Sequence, residues 1–248
     1  MTSHGILQTK RLGAHIAGRI DDIGPVKSVF TSNLQRAYQT AAAIIDAQPA
    51  RNHSPNVQAQ APLDAVQLAE LREKDFGSSE GKKFGNKTAG LDGDAQSDSE
   101  TRDAMKARID RFIDVHLSPV LDRHASEKVC VVVVAHGIIL GMLLRTLLSR
   151  YSTRQPGALD HHGEAMATWS NTGILQMKVE PLVDSPPSPT TRQQGFRAIV
   201  QFTNNVDHLQ GLKKTRGGIG SAKFDAKQRT MDSFFGPSKK RKLSEPED

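Results

Sequence analysis

Three side chains in this sequence of 248 residues stand where an α/β protein does chemistry: His136, Arg36 and Glu73. The run Val129–Gly137 reads V-C-V-V-V-V-A-H-G, an apolar strand that delivers a histidine and a glycine to its carboxyl end. Ligands of open α/β sheets bind in the crevice outside the carboxyl ends of the strands, and a strand apolar on both faces implies helices on both sides. Ile138–Ser149 has the length and apolar content of a buried helix, so His136 falls at a strand-to-helix turn, where backbone N–H groups favour an anion. Thr31–Ala41, T-S-N-L-Q-R-A-Y-Q-T-A, puts Arg36 in the first turns of a helix that follows the apolar strand Val26–Phe30. Leu71–Gly81, L-R-E-K-D-F-G-S-S-E-G, puts Glu73 in a loop rich in glycine and serine.

In this order, the segments T-S-x-L-x-R-A-x-Q-T-A, L-x-E-x-x-F-G-x-x-E-G and the strand ending A-H-G resemble the histidine phosphatase (phosphoglycerate mutase-like) superfamily, over roughly residues 2–204. Three ordered motifs carry far less risk of a chance match than one. The resemblance implies an α/β fold, a three-layer sandwich with a mostly parallel central sheet. It also implies phosphoryl transfer from a phosphomonoester through a phosphohistidine. Such a transfer needs a nucleophile, a cationic cage for the phosphoryl oxygens and an acid for the leaving alcohol. By motif, Arg36 and His136 belong to the phosphate cage, and Glu73 is the acid.

One part of the family pattern is absent. The family's nucleophile lies in an R-H-G triplet at the end of the first strand, in the middle of the sheet, and no R-H-G occurs here. The opening Met1–Gly13 looks instead like the family's next helix, L-T-x-x-G-x-x-Q-A-x-x-L-G. His4, in S-H-G, has no apolar strand before it and no arginine beside it. Thr2 or Ser3 reads as the cap of a helix with Leu12, Ile16 and Ile20 on one face. The expectation is a fold lacking its first central strand, with impaired catalysis in this chain and the family activity in the complete protein.

The elements that must position these residues follow from spacing: a helix over Ser3–Ile20, a strand over Val26–Phe30 and a helix over Asn33–Asp46. A polar insertion over 86–102 is expected near the site mouth, with Ser97-x-x-Glu100 capping the next helix. That helix buries Met105, Ile109, Phe112, Ile113 and Leu117 on one face. Trp169-Ser-Asn-Thr-Gly turns into a strand over Ile174–Val179; a proline-rich insertion over 181–194 precedes the last strand, Phe196–Phe202. His161 and His162 have no acidic or cysteine partner at ligand spacing, so no metal and no cofactor are expected.

Net charge divides sharply. Residues 208–242 hold ten Lys and Arg against two Asp, +8, and the remainder is −2. The basic character therefore belongs to a disordered tail, 205–248, beyond the phosphatase-like domain 1–204, and direct sequence-specific nucleic-acid binding is not expected. A single cysteine, Cys130, excludes an internal disulfide. His136 interrupts the best apolar run, so neither a bilayer span nor a signal peptide is expected.

Gln228–Phe235, Q-R-T-M-D-S-F-F, resembles the box by which proteins dock on the eukaryotic DNA sliding clamp, proliferating cell nuclear antigen. On a short tight helix Met231, Phe234 and Phe235 form one apolar plug, and Gln228 reaches a separate polar pocket. Pro237–Leu243 then resembles a nuclear localisation signal, with Lys239, Lys240, Arg241 and Lys242 presented to an import receptor. The expected location is the nucleus, and the competing reading is a non-catalytic nuclear protein whose output is clamp binding.

Overall fold

The structure, a computed structural model, describes residues 1–49, 63–80, 98–151, 169–182 and 195–212. The tail motifs at 228–242, the His161–His162 pair and most of the two insertions lie outside the described residues.

The chain opens with α1 (Ser3–Ala17), whose first-turn N–H of Gly5 is accepted by the Thr2 hydroxyl, the expected cap. A short α2 (Ile20–Ile23) ends at Gly24, and β1 (Val26–Ser32) follows. Gly24 has φ +76°, and a Cβ there would stand 2.2 Å from the carbonyl oxygen of Lys128. Only glycine lets the entry to β1 lie so close to the segment before β3 (Cys130–Val134). α3 (Gln35–Asp46) packs on α1 through a second close approach, where Gly13 faces the carbonyl of Ala43.

β1 is central to a parallel sheet of order β2–β1–β3, with β2 over Ala65–Leu68. The register places Val29, Phe30 and Thr31 opposite Val132, Val133 and Val134. β4 (Ile174–Pro181) and β5 (Phe196–Asn205) form a separate antiparallel pair. The architecture is thus α/β with a mostly parallel central sheet and helices on both faces, as expected.

Side chains alternate across β3. Cys130, Val132 and Val134 pack beside Val26, Val29 and Ala41 on the α1–α3 side. Val131 and Val133 pack on the other side against a larger cluster built from α4 (Arg102–Phe112) and α6 (Gly137–Tyr151). In that cluster Phe112, Ile109, Ile113 and Ile139 are fully buried, and Phe112 meets Phe30 edge-to-face at 5.5 Å. Met105, Ile109, Phe112, Ile113 and Leu117 are all buried, as the spacing predicts. The helix widens into a π-turn over Ile113–Leu117 before α5 (Ser118–Arg123). Pro119 has no N–H to return to the preceding turn, which accounts for the break in the regular ladder.

One local expectation is corrected. The cap of α4 is Thr101, whose hydroxyl accepts from the Ala104 N–H, and Glu100, expected at the cap, pairs with Arg108; Ser97 lies outside the described residues. Within the segment 86–102, the described Asp98 accepts from the N–H and hydroxyl of Ser78. Likewise Pro181 belongs to β4, and Leu182 donates to the carbonyl of Gly195. The compact unit continues through Leu212, with His208 buried in a short turn over Asp207–Leu209 that packs on α1. Among the described residues no helix is long and apolar enough to cross a membrane.

Candidate functional site

Parallel pairing of β1 and β3 brings their carboxyl ends side by side, so Ser32, at the end of β1, meets His136, just beyond β3. The His136 ring is buried, with Nε2 2.9 Å from the Ser32 hydroxyl oxygen. From the start of α3, Arg36 donates its Nε–H to His136 Nδ1 at 3.1 Å. Because Nδ1 accepts, the proton of the neutral ring sits on Nε2 and is donated to Ser32, which also accepts the N–H of Leu34. Burial lowers the His136 pKa below the ordinary histidine value; the Arg36 charge adds to this, and Glu73 opposes it. His136 is therefore a neutral imidazole near pH 7, held in one tautomer between a hydroxyl and a guanidinium.

Glu73 comes to the same place from the loop after β2. Its carboxylate accepts the N–H groups of Ile138 and Ile139, at 3.4 and 3.3 Å, in the first turn of α6. These are N–H groups that a helix start leaves without internal partners, and the helix dipole favours negative charge there. Glu73 acts here as an acceptor seated where an incoming anion would find its best backbone donors.

The loop itself is fixed by Arg108 of α4. Its guanidinium binds both Glu100 oxygens at 2.6 and 2.8 Å and donates to the carbonyls of Glu70 and Arg72 at 2.6 and 2.7 Å. Both side chains of the pair are about one-sixth exposed, at 17% and 16%. The Arg108 hydrogen bond holds the Glu100 carboxyl below the ordinary carboxylate range, against the opposing effect of burial.

The structure thus places Arg36, Glu73 and His136 on one cavity, and Arg36 and His136 in direct contact. The arrangement suits an oxyanion: an exposed guanidinium, an imidazole and a helix N-terminus converge, with a carboxylate beside them. Sequence reasoning missed Ser32, although it lies inside the quoted T-S-x-L motif, and missed Arg108, which has no local signal because its partners are up to 38 residues away. It also left Trp169 without a role; that side chain lies beside Gly137, where an added Cβ would meet the Trp169 Cβ at 3.6 Å and its ring at 3.8 Å. His4 stays in the first turn of α1, half-buried. Gln228, Met231, Phe234, Phe235 and Lys239–Lys242 are outside the described residues.

The family model of the histidine phosphatase superfamily (branch 1) matches residues 1–173. A probable phosphatase of Schizosaccharomyces pombe is 28% identical over 237 residues, spanning 94% of this chain and 70% of that protein. Among solved structures, mycobacterial hydrolase 1 aligns with a TM-score of 0.53 at 19% identity, covering 80% of this chain and 84% of that one. Mycobacterial hydrolase 2 aligns at 0.51 and 18%, covering 82% and 78%. At such identities the structural likeness concerns the fold alone.

Proposed function

Because the chain belongs to the histidine phosphatase superfamily (branch 1), we propose that it is the phosphohydrolase part of a nuclear protein that cleaves phosphomonoesters through a phosphohistidine. The observation that carries this reading is the Arg36–His136 contact beside Glu73 at the start of α6. The S. pombe relative, a probable phosphatase, points to the same substrate class.

In the proposed reaction a histidine nitrogen attacks phosphorus and the ester P–O bond breaks. Glu73, having taken up a proton and left the helix start, gives that proton to the departing oxygen. Water then attacks the phosphohistidine, releasing phosphate and freeing the imidazole. Arg36 and His136 hold the phosphoryl oxygens and offset their charge. The attacking histidine is assigned to an Arg-His-Gly strand that these 248 residues do not contain, so this chain alone is expected to be catalytically impaired. Placing an in-frame apolar strand ending Arg-His-Gly before Met1 is expected to raise hydrolysis of p-nitrophenyl phosphate well above background and to give acid-labile phosphoprotein. A folded, extended chain that forms neither would overturn the catalytic reading.

The tail belongs to the same proposal. Gln228, Met231, Phe234 and Phe235 dock on the DNA sliding clamp, and Lys239–Lys242 engage an import receptor. Replacing Phe234 and Phe235 with Ala is expected to abolish retention on an immobilised clamp, and unchanged retention would refute the box. A second reading, a non-catalytic clamp-binding protein, is favoured by the missing R-H-G; it prevails if the extended chain stays inactive while the tail binds.

A further inference from the structure

α4 and α6 lie side by side and run in the same direction. Arg150, near the end of α6, pairs with Asp110, near the end of α4, and with Asp114 in the π-turn beyond it. Arg102, Lys106 and Asp110 recur every four residues and so form one stripe of α4. Met142, Arg145, Thr146 and Ser149 recur at spacings of three and four and form the facing stripe of α6. The two stripes line a groove of about 210 Å³ that shares no residue with the cavity at His136. Met142 and Thr146 are buried and make its floor, with the Thr146 hydroxyl donating to the Met142 carbonyl at 2.9 Å.

Charge is matched at one end of this groove and unmatched at the other. At the Arg150 end, Asp110 takes Lys106 and Arg150, each at 2.7 Å, and Asp114 takes the other side of Arg150. The hydrogen bond from Lys106, with that from Arg150, holds the Asp110 carboxyl below the ordinary aspartate range against the effect of burial. Two cations there answer two carboxylates. At the other end Arg102 and Arg145 are exposed, and among the described residues neither side chain meets a carboxylate or another acceptor. Asp103, the next residue of α4, does not line the groove. Two guanidinium groups on one groove repel each other, and an anion between them removes the conflict.

Charge and size decide which anion fits. A single carboxylate offsets one of the two charges. A nucleic-acid backbone carries one charge per phosphate and needs a long basic track, whereas one pair of cations is open here and the sequence outside 208–242 is net −2. A terminal phosphate carries nearly two charges near pH 7 and presents three oxygens, which two guanidinium forks and the Ser149 hydroxyl can share. The groove is smaller than the roughly 300–1,000 Å³ of pockets that enclose whole organic ligands, which favours a compact group.

We infer that the groove between α4 and α6 is a second anion site, which takes a phosphate dianion, free or on a compact monoester, between Arg102 and Arg145. A ligand there ties together the two helices that seat Glu73, α4 through Arg108 and α6 through its first-turn N–H groups. The site does not rest on the catalytic reading.

The test uses the whole 248-residue chain carrying Arg36→Gln, which weakens the first site, and calorimetric titration with inorganic phosphate at pH 8 and fixed ionic strength. Saturable binding with a dissociation constant on the order of 1 mM or below is expected, weakened at least about tenfold by adding Arg102→Gln and Arg145→Gln. Both arginines are exposed, so that variant should keep its melting temperature. Ser149→Glu, which sets a carboxylate in the groove, should weaken binding likewise and replaces the arginine variant should that one fail to fold. Arg111→Gln with Arg123→Gln removes the same charge from exposed positions outside the groove and should leave binding unchanged. Dimethyl phosphate, a monoanion, should bind at least about tenfold more weakly than phosphate. Glycerol phosphate separates the two sources: tighter binding than phosphate assigns the site to a monoester, and weaker binding assigns it to free phosphate. No saturable binding up to about 10 mM, undiminished binding in the groove variants, an equal loss in the Arg111 and Arg123 variant, or equal affinity for dimethyl phosphate overturns the site.

Discussion

Arg108→Met removes a cation that four acceptors share, and the structure sets the scale of the loss. Glu100 would keep a carboxylate only 16% exposed with its partner gone, and the carbonyls of Glu70 and Arg72 would each lose a donor closer than 2.8 Å. Breaking one side of a fully buried pair costs about 3–5 kcal/mol, and hydrogen bonds to charged groups contribute about 1.5–3 kcal/mol each. Residual exposure lets water reach Glu100, which argues for the lower end, about 3 kcal/mol, a large share of a domain's typical 5–15 kcal/mol. The assay is urea denaturation of the variant, of Glu100→Gln and of the double variant. The double variant should lose less than the sum by at least about 1 kcal/mol, since the two groups serve one network.

The pH dependence gives an independent check on that figure. Arg108 holds the Glu100 pKa below the ordinary carboxylate value of 4.5, so this stabilisation is present above that value and is lost as pH falls through the lower, folded one. In Arg108→Met burial and the Asp75 charge raise the pKa against the Asp75 N–H hydrogen bond alone, and the slope in the acid range should flatten or reverse. A cost under about 1 kcal/mol together with an unchanged acid slope would refute the idea that Arg108 braces the loop that carries Glu73.

The site and the core yield further expectations. Sulfate keeps its charge across the histidine range, and an anion beside His136 raises the depressed pKa of that ring. Binding therefore takes up a proton, and sulfate affinity should rise as pH falls through the ordinary histidine range, by up to about tenfold per pH unit; calorimetric titration reads this, and His136→Gln should abolish the trend. Without sulfate the sign for stability is opposite: the neutral His136 ring stabilises the fold above the ordinary histidine value, and melting temperature should fall as pH drops through the folded one. Phe112→Ala should cost about 3–5 kcal/mol in denaturant melts, because the ring is fully buried against Phe30. Gly24→Ala should cost at least about 2 kcal/mol, since the new Cβ meets the Lys128 carbonyl at a positive φ; an unchanged melt would show that the two segments separate readily.

The strand-turn-helix around His136 and the placement of Arg36 at the start of α3 were legible from apolar runs and their ends, because hydrophobic period and strand termini are local properties. What was not legible involves partners distant in sequence. Ser32 meets His136 only because β1 and β3 pair in parallel, a register no single strand reveals. Glu73 was placed in a loop, but its seat on the α6 N–H groups, some 65 residues on, depends on Arg108 gripping that loop from α4. The cap of α4 shows the same limit. Ser97 and Glu100 satisfy the capping-box spacing, yet Glu100 is drawn to Arg108, and Thr101 closes the helix instead. Local grammar offered two caps, and a long-range ion pair chose between them.

The largest disagreement between sequence and structure is also the most informative. Val131–Val134 has the composition of a strand with neighbours on both sides, and among the described residues it has one. The same strand carries His136 and lies beside the helix start where Glu73 sits, so its packing and the site's geometry cannot vary independently.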